Sequence, residues 1–339
     1  MKKTEMNDLF FSKTLDFLTL YLPIQLQKSP NTVRSYRDAL TIFRRYITEN
    51  LNKSIRSFRF SDCTYEVLLD FRDYLRMNKN AESTCNYRLA AIRSYLWYAA
   101  DLDISIQTVA LSASQIPQLK VTKNAKDIIS VEDMAALLAV PPSTKRGKRD
   151  QLILILLYDS AIRVSELINL DVRSINLTAE IPYLRVFGKG DKERIVAITD
   201  KTVSHIKAYM TLYHKAEDLD QPLFYTEIKG KRGRMSTGNV ERIIKKYADE
   251  IREDHPDLPK RVYPHMFRRT RATNLYQNGV ELELIARLLG HSSTETTRIY
   301  AVPSLEMMRQ AMESGKLSVD ETPQWPDDEE EIARLCGIR

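Results

Sequence analysis

Apolar residues recur every three or four positions along the first hundred or so residues, which is the spacing of one face of a helix. One stripe comprises Phe11, Leu15, Leu18 and Leu22, and the next comprises Val33, Tyr36, Leu40, Phe43 and Ile47. The runs YEVLLDFRDYLRM and TCNYRLAAIRSYLWYAADL continue the pattern. Because four helices can bury a core between them, the spacing predicts a helical domain over residues 1–112, with a short helix at its end.

The periodicity is lost over residues 113–129, which contain a proline and read as a linker. A second domain, 130–315, opens with the capping-box pattern SVED. Two β-type runs, YLRVFG and RIVAIT, are joined by GKGDKE and predict a hairpin. Helical patterns cover 131–139, 146–160, 164–169, 200–214, 237–252, 265–278, 281–289, 294–301 and 304–315. The predicted fold class is therefore mainly α with a small antiparallel β-sheet, in two domains, followed by an acidic tail over 316–339.

Composition excludes several classes of protein. Hydrophobic residues make up 43% and charged residues 28% of the 339 residues, as in ordinary globular chains. The longest apolar run, LILILLY, is too short to span a bilayer, and the N-terminus lacks the apolar region of a signal peptide. We therefore expect a cytoplasmic protein. Three cysteines suit neither a disulfide framework nor a zinc site, so Cys63 and Cys85 are expected to be buried apolar residues.

The charge is unevenly distributed along the chain. Residues 316–339 carry a net charge of −4, so the first 315 residues carry +10 against +6 for the whole chain. This surplus lies in clusters such as TKRGKR, KGKRGR and KRVYPHMFRRTR. Any one cluster is explained by a solvated helix face. Recurrent basic segments along one chain fit an electrostatic surface for nucleic acid.

Four short stretches place polar residues of unusual chemistry at the ends of predicted elements. They contain Arg163 and Glu166 in AIRVSEL, Lys189 in FGKGDKER, His265 and Arg268 in PHMFRR, and His291 and Tyr300 in LLGHSSTETTRIY. Taken singly, each has a structural explanation: an Arg–Glu ion pair, an exposed turn lysine, a histidine at a helix start, a cap and a packed aromatic ring. Taken together, they form a set of cations and one hydroxyl nucleophile without an acid cluster.

This set of side chains suits a phosphodiester. Guanidinium groups stabilise the charge that builds on phosphate oxygens in the transition state, and a tyrosine hydroxyl can attack phosphorus to form a covalent ester. A lysine on a hairpin turn can protonate the leaving oxygen. The chain lacks an HExxH motif and a GxxxxGK[ST] phosphate loop. We therefore expect neither a metal nor any other cofactor.

The chain resembles the tyrosine recombinases, also called the phage integrase family, over nearly its whole length. The segment SPNTVRSYRDAL is similar to the family's helical core-binding domain, and the five boxes of the catalytic domain follow in order. The family's catalytic residues fall on Arg163, Lys189, His265, Arg268, His291 and Tyr300. Two positions differ from the common pattern: Ala161 stands where glycine is frequent, and Arg269 stands where many members have histidine.

The resemblance implies a role for each of these residues. Arg163 and Arg268 would clamp the scissile phosphate, His291 would donate a further hydrogen bond, and Lys189 would protonate the leaving 5′-oxygen. His265 would hold the phosphate or accept the proton of Tyr300, and Glu166 would support the site without contacting the phosphate. Tyr300 would form a 3′-phosphotyrosyl link.

The resemblance also implies partners. These are double-stranded DNA recombination sites in the nucleoid, bound by a homotetramer in which the helix 304–315 docks on a neighbouring subunit through Leu305, Met308, Ala311 and Met312. A helix folded back on its own domain explains the same apolar face equally well. Accessory recombinases and DNA-bending proteins remain open as partners.

Several activities stay open. Integration, excision or transposition of a mobile element is favoured, because the long tail exceeds what a minimal dimer resolvase needs. Xer-type resolution of chromosome or plasmid dimers is the alternative. A type IB topoisomerase-like relaxase and a DNA-binding protein without activity are weaker alternatives, because the core-binding domain argues against the first and the intact set of catalytic residue types against the second.

Overall fold

The computed structural model describes residues 8–121, 127–188, 192–214, 218–291, 293–314 and 328–338. The chain divides into two compact units, Met1–Ala125 and Lys126–Arg339. Within the described ranges, no helix is both long enough and apolar enough to cross a membrane.

The first unit is a helical bundle, as the sequence predicts. Ser29 caps its longest central helix by accepting the backbone N–H of Thr32, and Pro30 occupies the first helical position, where its missing N–H costs nothing. The bundle closes on an aromatic core in which Phe10, Phe43 and Tyr95 are fully buried. Its helices are α1 (Thr14–Asp16, continued by a π-helix over Phe17–Gln25), α2 (Pro30–Glu49), α3 (Tyr65–Met77), α4 (Glu82–Leu102) and α5 (Gln107–Ser114).

The first predicted apolar stripe is wrong at Leu15, which is 70% exposed. The structure buries Phe17 and Leu22 in this segment instead. These two residues are five apart because the segment is a π-helix, whose hydrogen bonds join residues five apart, as between the Leu26 N–H and the Tyr21 carbonyl at 2.9 Å. The second stripe is confirmed, since Val33, Leu40, Phe43 and Ile47 are all buried. Cys63 and Cys85 are buried as expected.

Both ends of the predicted linker 113–129 are attached to a core. Helix α5 continues to Ser114, and Ile116 is buried in the first unit. At the other end, Ile129 is buried in the second unit, and its N–H donates to the Thr270 hydroxyl at 3.0 Å. Apolar side chains at 116 and 129 thus shorten the linker from both sides.

The second unit surrounds one buried helix with other helices and two small antiparallel sheets. Its elements are α6 (Val131–Ala139), α7 (Lys145–Asp159), α8 (Val164–Ile168), β1 (Ile175–Asn176), β2 (Tyr183–Phe187), β3 (Glu193–Ala197), α9 (Asp200–Tyr213), β4 (Tyr225–Ile228), β5 (Lys231–Arg234), α10 (Thr237–Glu250), α11 (Pro264–Gln277), α12 (Leu282–Leu289), α13 (Leu305–Ser314) and α14 (Glu329–Leu335). The run of leucines and isoleucines in α7 is buried on nearly all sides. This explains why its sequence is apolar without a stripe.

The predicted hairpin is confirmed as β2–β3, with Tyr183 opposite Ala197 and Phe187 opposite Glu193. Strand β1 adds a third, antiparallel strand beside β2. A second hairpin, β4–β5, was not predicted. The helix predicted over 294–301 is wrong: two 3₁₀ turns, Thr294–Thr296 and Arg298–Tyr300, replace it, because the β-branched threonines of this segment disfavour a continuous α-helix.

Candidate active site

Arg163 and Glu166 form a closed pair at the start of α8. Arg163 is the residue before the helix, and Glu166 accepts its backbone N–H at 2.7 Å and its Nη1 at 2.8 Å. Burial alone would raise the pKa of Glu166, but hydrogen bonds from Arg194 and from the Arg163 backbone lower this pKa to about 2. The carboxylate is therefore ionised at neutral pH and fixes the orientation of Arg163.

Arg268 lies at the centre of the site on α11 and is only 1% exposed. Its Nη1 donates to the Ala161 carbonyl at 2.7 Å, and its Nη2 donates to the Leu289 carbonyl and to His291 Nε2, the latter at 3.0 Å. Burial, and then the charge of Arg163, lower its pKa to about 10, so the guanidinium stays charged at neutral pH. Its Nε–H is buried and has no hydrogen-bond partner in the part of the chain that the structure describes.

His291 follows directly on the end of α12. Gly290 ends this helix in the left-handed region, with φ at +64°, and the His291 N–H then bonds to the Ala286 carbonyl at 3.0 Å. The ring accepts from Arg268 through Nε2, so in its neutral form its proton is on Nδ1, which lies 2.8 Å from the Thr297 hydroxyl. Burial, and then Arg268, lower the pKa of His291 to about 4, so the ring is neutral at pH 7.

Tyr300 ends the second 3₁₀ turn and is 2% exposed. Its ring packs in a small apolar cluster formed by Ala161, Ala272, Ile285 and Leu289. The ring also lies nearly parallel to that of His291, at an interplanar angle of 23° and a centroid distance of 6.1 Å. An ionised Tyr300 would raise the pKa of Arg268, which places the hydroxyl within electrostatic range of the guanidinium.

His265 is exposed and lies one helical turn before Arg268 on α11. A positive charge on His265 lowers the pKa of His291, so the two histidines lie within electrostatic range of each other. Lys189 lies outside the described residues. Among the described residues, the ends of β2 and β3 are joined by a bond from the Gly188 N–H to the Lys192 carbonyl at 2.9 Å.

The structure thus brings together Arg163, Glu166, His265, Arg268, His291 and Tyr300, which the sequence spreads over 138 positions. Sequence reasoning missed two residues of the site. Arg194 contacts Glu166 from β3, and buried Thr297 bonds to His291. No spacing rule marks Arg194, because its partner is 28 positions away. Thr297 is one hydroxyl among several in STETT, and its partner became visible only in three dimensions.

The two departures from the family pattern have local explanations. Ala161 is buried with φ at +49°, a left-handed conformation that favours glycine, and the same residue presents its carbonyl to Arg268. Arg269 is buried, and its side-chain hydrogen bonds within the described chain go to residues outside the expected catalytic set. Its Nη1 donates to the Asp127 carbonyl at 3.2 Å and to the Tyr263 hydroxyl at 3.3 Å.

Comparison with known proteins gives the same family as the residues. Residues 128–306 match the phage integrase family, and residues 15–110 match the phage integrase SAM-like domain. The chain is 32% identical over 290 residues to the tyrosine recombinase XerA of Thermococcus onnurineus, covering 86% of this chain and 91% of that protein. It is 30% identical over 293 residues to the tyrosine recombinase XerD of Staphylococcus epidermidis, with 84% and 93% covered.

A solved structure with a similar fold is that of the Tn1549 transposon integrase in complex with a circular intermediate DNA. The TM-score is 0.68 at 15% identity, and the match covers 91% of this chain and 99% of that one. The two matches cover residues 15–110 and 128–306, which are most of both units. The chain therefore belongs to the phage integrase family of tyrosine site-specific recombinases, enzymes that cleave and rejoin DNA.

Proposed function

We propose that Tyr300 cleaves a DNA strand at a recombination site through a 3′-phosphotyrosyl intermediate. The Tyr300 oxygen bonds to phosphorus as the bond to the 5′-oxygen breaks. His265 accepts the tyrosine proton, and Lys189 gives a proton to the leaving 5′-oxygen. A 5′-hydroxyl from the partner duplex then attacks the same phosphorus and expels Tyr300. Two such rounds form and resolve a Holliday junction, and no external energy source is needed because each bond is exchanged for another.

The observation that carries this proposal is the buried guanidinium of Arg268. Its hydrogen bonds within the described chain go to two carbonyls and a neutral imidazole, and its Nε–H has no acceptor there. Buried charges are normally paired, and a buried donor without a partner costs free energy. A phosphate bound beside this guanidinium supplies the negative charge that its present hydrogen-bond partners lack.

Arg163 and His291 complete the phosphate site in this proposal. The Arg163 guanidinium is held by Glu166 through Nη1, and its other N–H donors can reach an anion. A bound phosphate raises the pKa of His291 from about 4 by placing a negative charge beside it. The ring can then carry a proton on Nε2, which ends its acceptance of the Arg268 hydrogen bond and lets Nε2–H donate to a phosphate oxygen.

The proposed assembly is a tetramer on two DNA sites. Helix α13 supports it, because Leu305, Met308 and Met312 are exposed on its surface, and an exposed apolar stripe favours docking on another protein surface. We propose that this stripe packs on a neighbouring subunit. The related XerH has been solved bound to its difH substrate, which agrees with DNA as the partner.

For the biological role we propose integration, excision or transposition of a mobile element. Support comes from the acidic segment after residue 315, which lies beyond the matched family region and includes helix α14. Xer-type dimer resolution is the second candidate, and the similarity to proteins named XerA and XerD favours it. Mapping DNA junctions in cells that carry the gene and in cells that lack it separates the two roles. Excised circles in cells with the gene indicate a mobile element. Chromosome or plasmid dimers that accumulate in cells without the gene indicate dimer resolution.

Nicked suicide substrates test the chemistry. The wild-type protein, incubated with DNA from the flanks of its own gene and with EDTA, is expected to form a covalent adduct that peptide mapping assigns to Tyr300. Tyr300→Phe should bind the same DNA and form no adduct. Tyr276→Phe is the matched control, because Tyr276 packs on the same apolar cluster. An adduct in Tyr300→Phe would disprove the assignment. A protein that forms the adduct and relaxes DNA without bringing two sites together would be a topoisomerase. If neither the wild type nor any variant forms an adduct, the protein only binds DNA.

A further inference from the structure

Arg194 is a largely buried cation of β3 whose side chain is 13% exposed. Its Nη1 and Nη2 donate to the two oxygens of Glu166 at 3.0 and 2.8 Å. Its Nε donates to the Leu288 carbonyl at 3.2 Å. One side chain therefore joins three parts of the site: the sheet, the start of α8 and the end of α12.

The end of α12 is held by two arginines through consecutive carbonyls. Arg194 bonds to Leu288, and Arg268 bonds to Leu289. Gly290 follows at once, and a Cβ there would lie 3.0 Å from the Arg194 side chain. The close contact and the left-handed backbone together require glycine. Because His291 is the next residue, the position of its ring depends on this packing.

Glu166 is shared by two guanidinium groups. Arg194 takes both carboxylate oxygens in a forked arrangement, while Arg163 takes one of them through its side chain and the other through its backbone. Removing one partner of a buried carboxylate is costly, because the remaining charge is left only partly compensated. Without Arg194, Glu166 can reorient towards solvent and carry Arg163 with it.

We propose that Arg194 is a positioning residue for DNA cleavage, which holds Arg163 in register with His291 through Glu166 and the end of α12. The inference rests on the proposed function, since it assigns the phosphate to Arg163 and His291. In the DNA-free structure three of the five N–H donors of Arg194 are engaged within the protein, and its side chain is only 13% exposed. We therefore assign Arg194 an effect on the geometry of the site, which the DNA-binding measurement below separates from direct binding of the phosphate.

Single-turnover cleavage at saturating suicide substrate tests the proposal. Arg194→Gln is expected to lower the cleavage rate roughly 30- to 100-fold, equivalent to the loss of about two charge-assisted hydrogen bonds, while the Kd for DNA changes less than about 3-fold. Arg194→Lys keeps the charge but not the fork, so it should recover part of the rate. Arg185→Gln is the matched control, because Arg185 is an exposed arginine of the neighbouring strand β2, paired with Glu193.

A double-mutant cycle with Glu166→Gln distinguishes positioning from general loss of structure. The cycle measures the part of the effect that passes through Glu166. Adding Arg194→Gln to the Glu166→Gln variant should lower the rate by much less than the roughly 30- to 100-fold expected in the wild-type background, and the remaining loss reports the missing bond to Leu288. Thermal melts accompany each variant, and Arg194→Lys carries the test if Arg194→Gln melts below the assay temperature. Any one of three results would overturn the proposal: a wild-type cleavage rate in Arg194→Gln, equal losses of DNA affinity and cleavage rate in that variant, or full additivity in the cycle. Failure of the wild-type adduct to map to Tyr300 would instead overturn the proposed function.

Discussion

Thr297 lies between His291 and Tyr300 and contacts both. Its hydroxyl oxygen is 2.8 Å from His291 Nδ1, and its carbonyl accepts the Tyr300 N–H at 2.9 Å. Thr297 is fully buried, so water cannot replace either contact. Thr297 therefore holds the histidine ring, together with Arg268, and also the start of the turn that carries the tyrosine.

Thr297→Val should lower the cleavage rate about 10-fold, because the isosteric change removes one buried hydrogen bond of about 1 to 1.5 kcal/mol. The imidazole would then keep only its hydrogen bond to Arg268 at Nε2. Thr297→Ser keeps the hydroxyl and should retain most of the rate. Single-turnover cleavage of a suicide substrate measures both variants, and equal rates for valine and wild type would show that the His291–Thr297 bond does not matter for the reaction.

The stability of the DNA-free protein should fall as the pH drops from about 6.5 to 4.5. His291 has a native pKa near 4 against an ordinary value of 6.5, so in this interval the unfolded chain binds a proton that the native state does not. His291→Gln should make the dependence shallower. His205 and His214 also have lowered pKa values and should leave a residual slope. Urea unfolding across the pH series measures the effect, and an unchanged slope in the variant would contradict it.

Below pH 4.5 a second group contributes in the same direction. The native pKa of Glu166 is about 2 against an ordinary value of 4.5, so its stabilising contribution is present above 4.5 and is lost as the pH falls towards 2. Urea unfolding of Glu166→Gln and of His291→Gln across the pH series separates the two pH intervals. The variant at 166 should change the curve below pH 4.5, and the variant at 291 should change it above.

Ala161→Val should destabilise the protein by at least about 2 kcal/mol, because a β-branched residue is strongly disfavoured at a φ of +49°. Ala161→Gly relieves a strain of roughly 1 to 2 kcal/mol but loses a buried methyl group of about 0.8 kcal/mol and gains unfolded-state entropy. We therefore expect the glycine variant to lie within about 1 kcal/mol of wild type. Chemical denaturation measures both, and a stable valine variant would refute the strain at 161.

DNA affinity should depend steeply on salt, with a slope of about −0.9 for each phosphate neutralised. The β4–β5 hairpin exposes Lys231, and Lys229 lies in its turn at a φ of +51°. Replacing both by glutamine should reduce the magnitude of the slope by up to about 1.8. Arg309→Gln is the control, because Arg309 is engaged with Glu306 on α13. An unchanged slope in the hairpin variant would place the hairpin away from DNA.

The sequence predicted those parts of the fold whose signal is local. Helices with an apolar stripe and a capping residue, such as the one opened by Ser29 and Pro30, were found close to their true ends. The hairpin β4–β5 was missed because a run of lysines, arginines and glycines shows no apolar alternation. Its pairing depends instead on anchors outside the strands, such as the bond from Arg234 to Asp171 at 2.7 Å.

The candidate site divides in the same way. Six of the seven residues expected there from the family motifs lie together in the structure, and the seventh, Lys189, lies outside the described residues. Arg194 could not be found, because an arginine on a short strand gains a role only from Glu166, Leu288 and Gly290, which come from other elements. Motifs identify the groups that react, and packing identifies the groups that hold them.

Helix α11 carries a residue of the candidate site and also holds the segment that enters the second unit. Arg268 faces the site, while its two neighbours hold the incoming segment: Arg269 bonds to Asp127, and Thr270 bonds to Ile129. On the other side, the Leu119 backbone exchanges two hydrogen bonds with Asn86. A chimaera that takes its first unit from another recombinase should therefore be joined between residues 120 and 126, where neither set of anchors is cut.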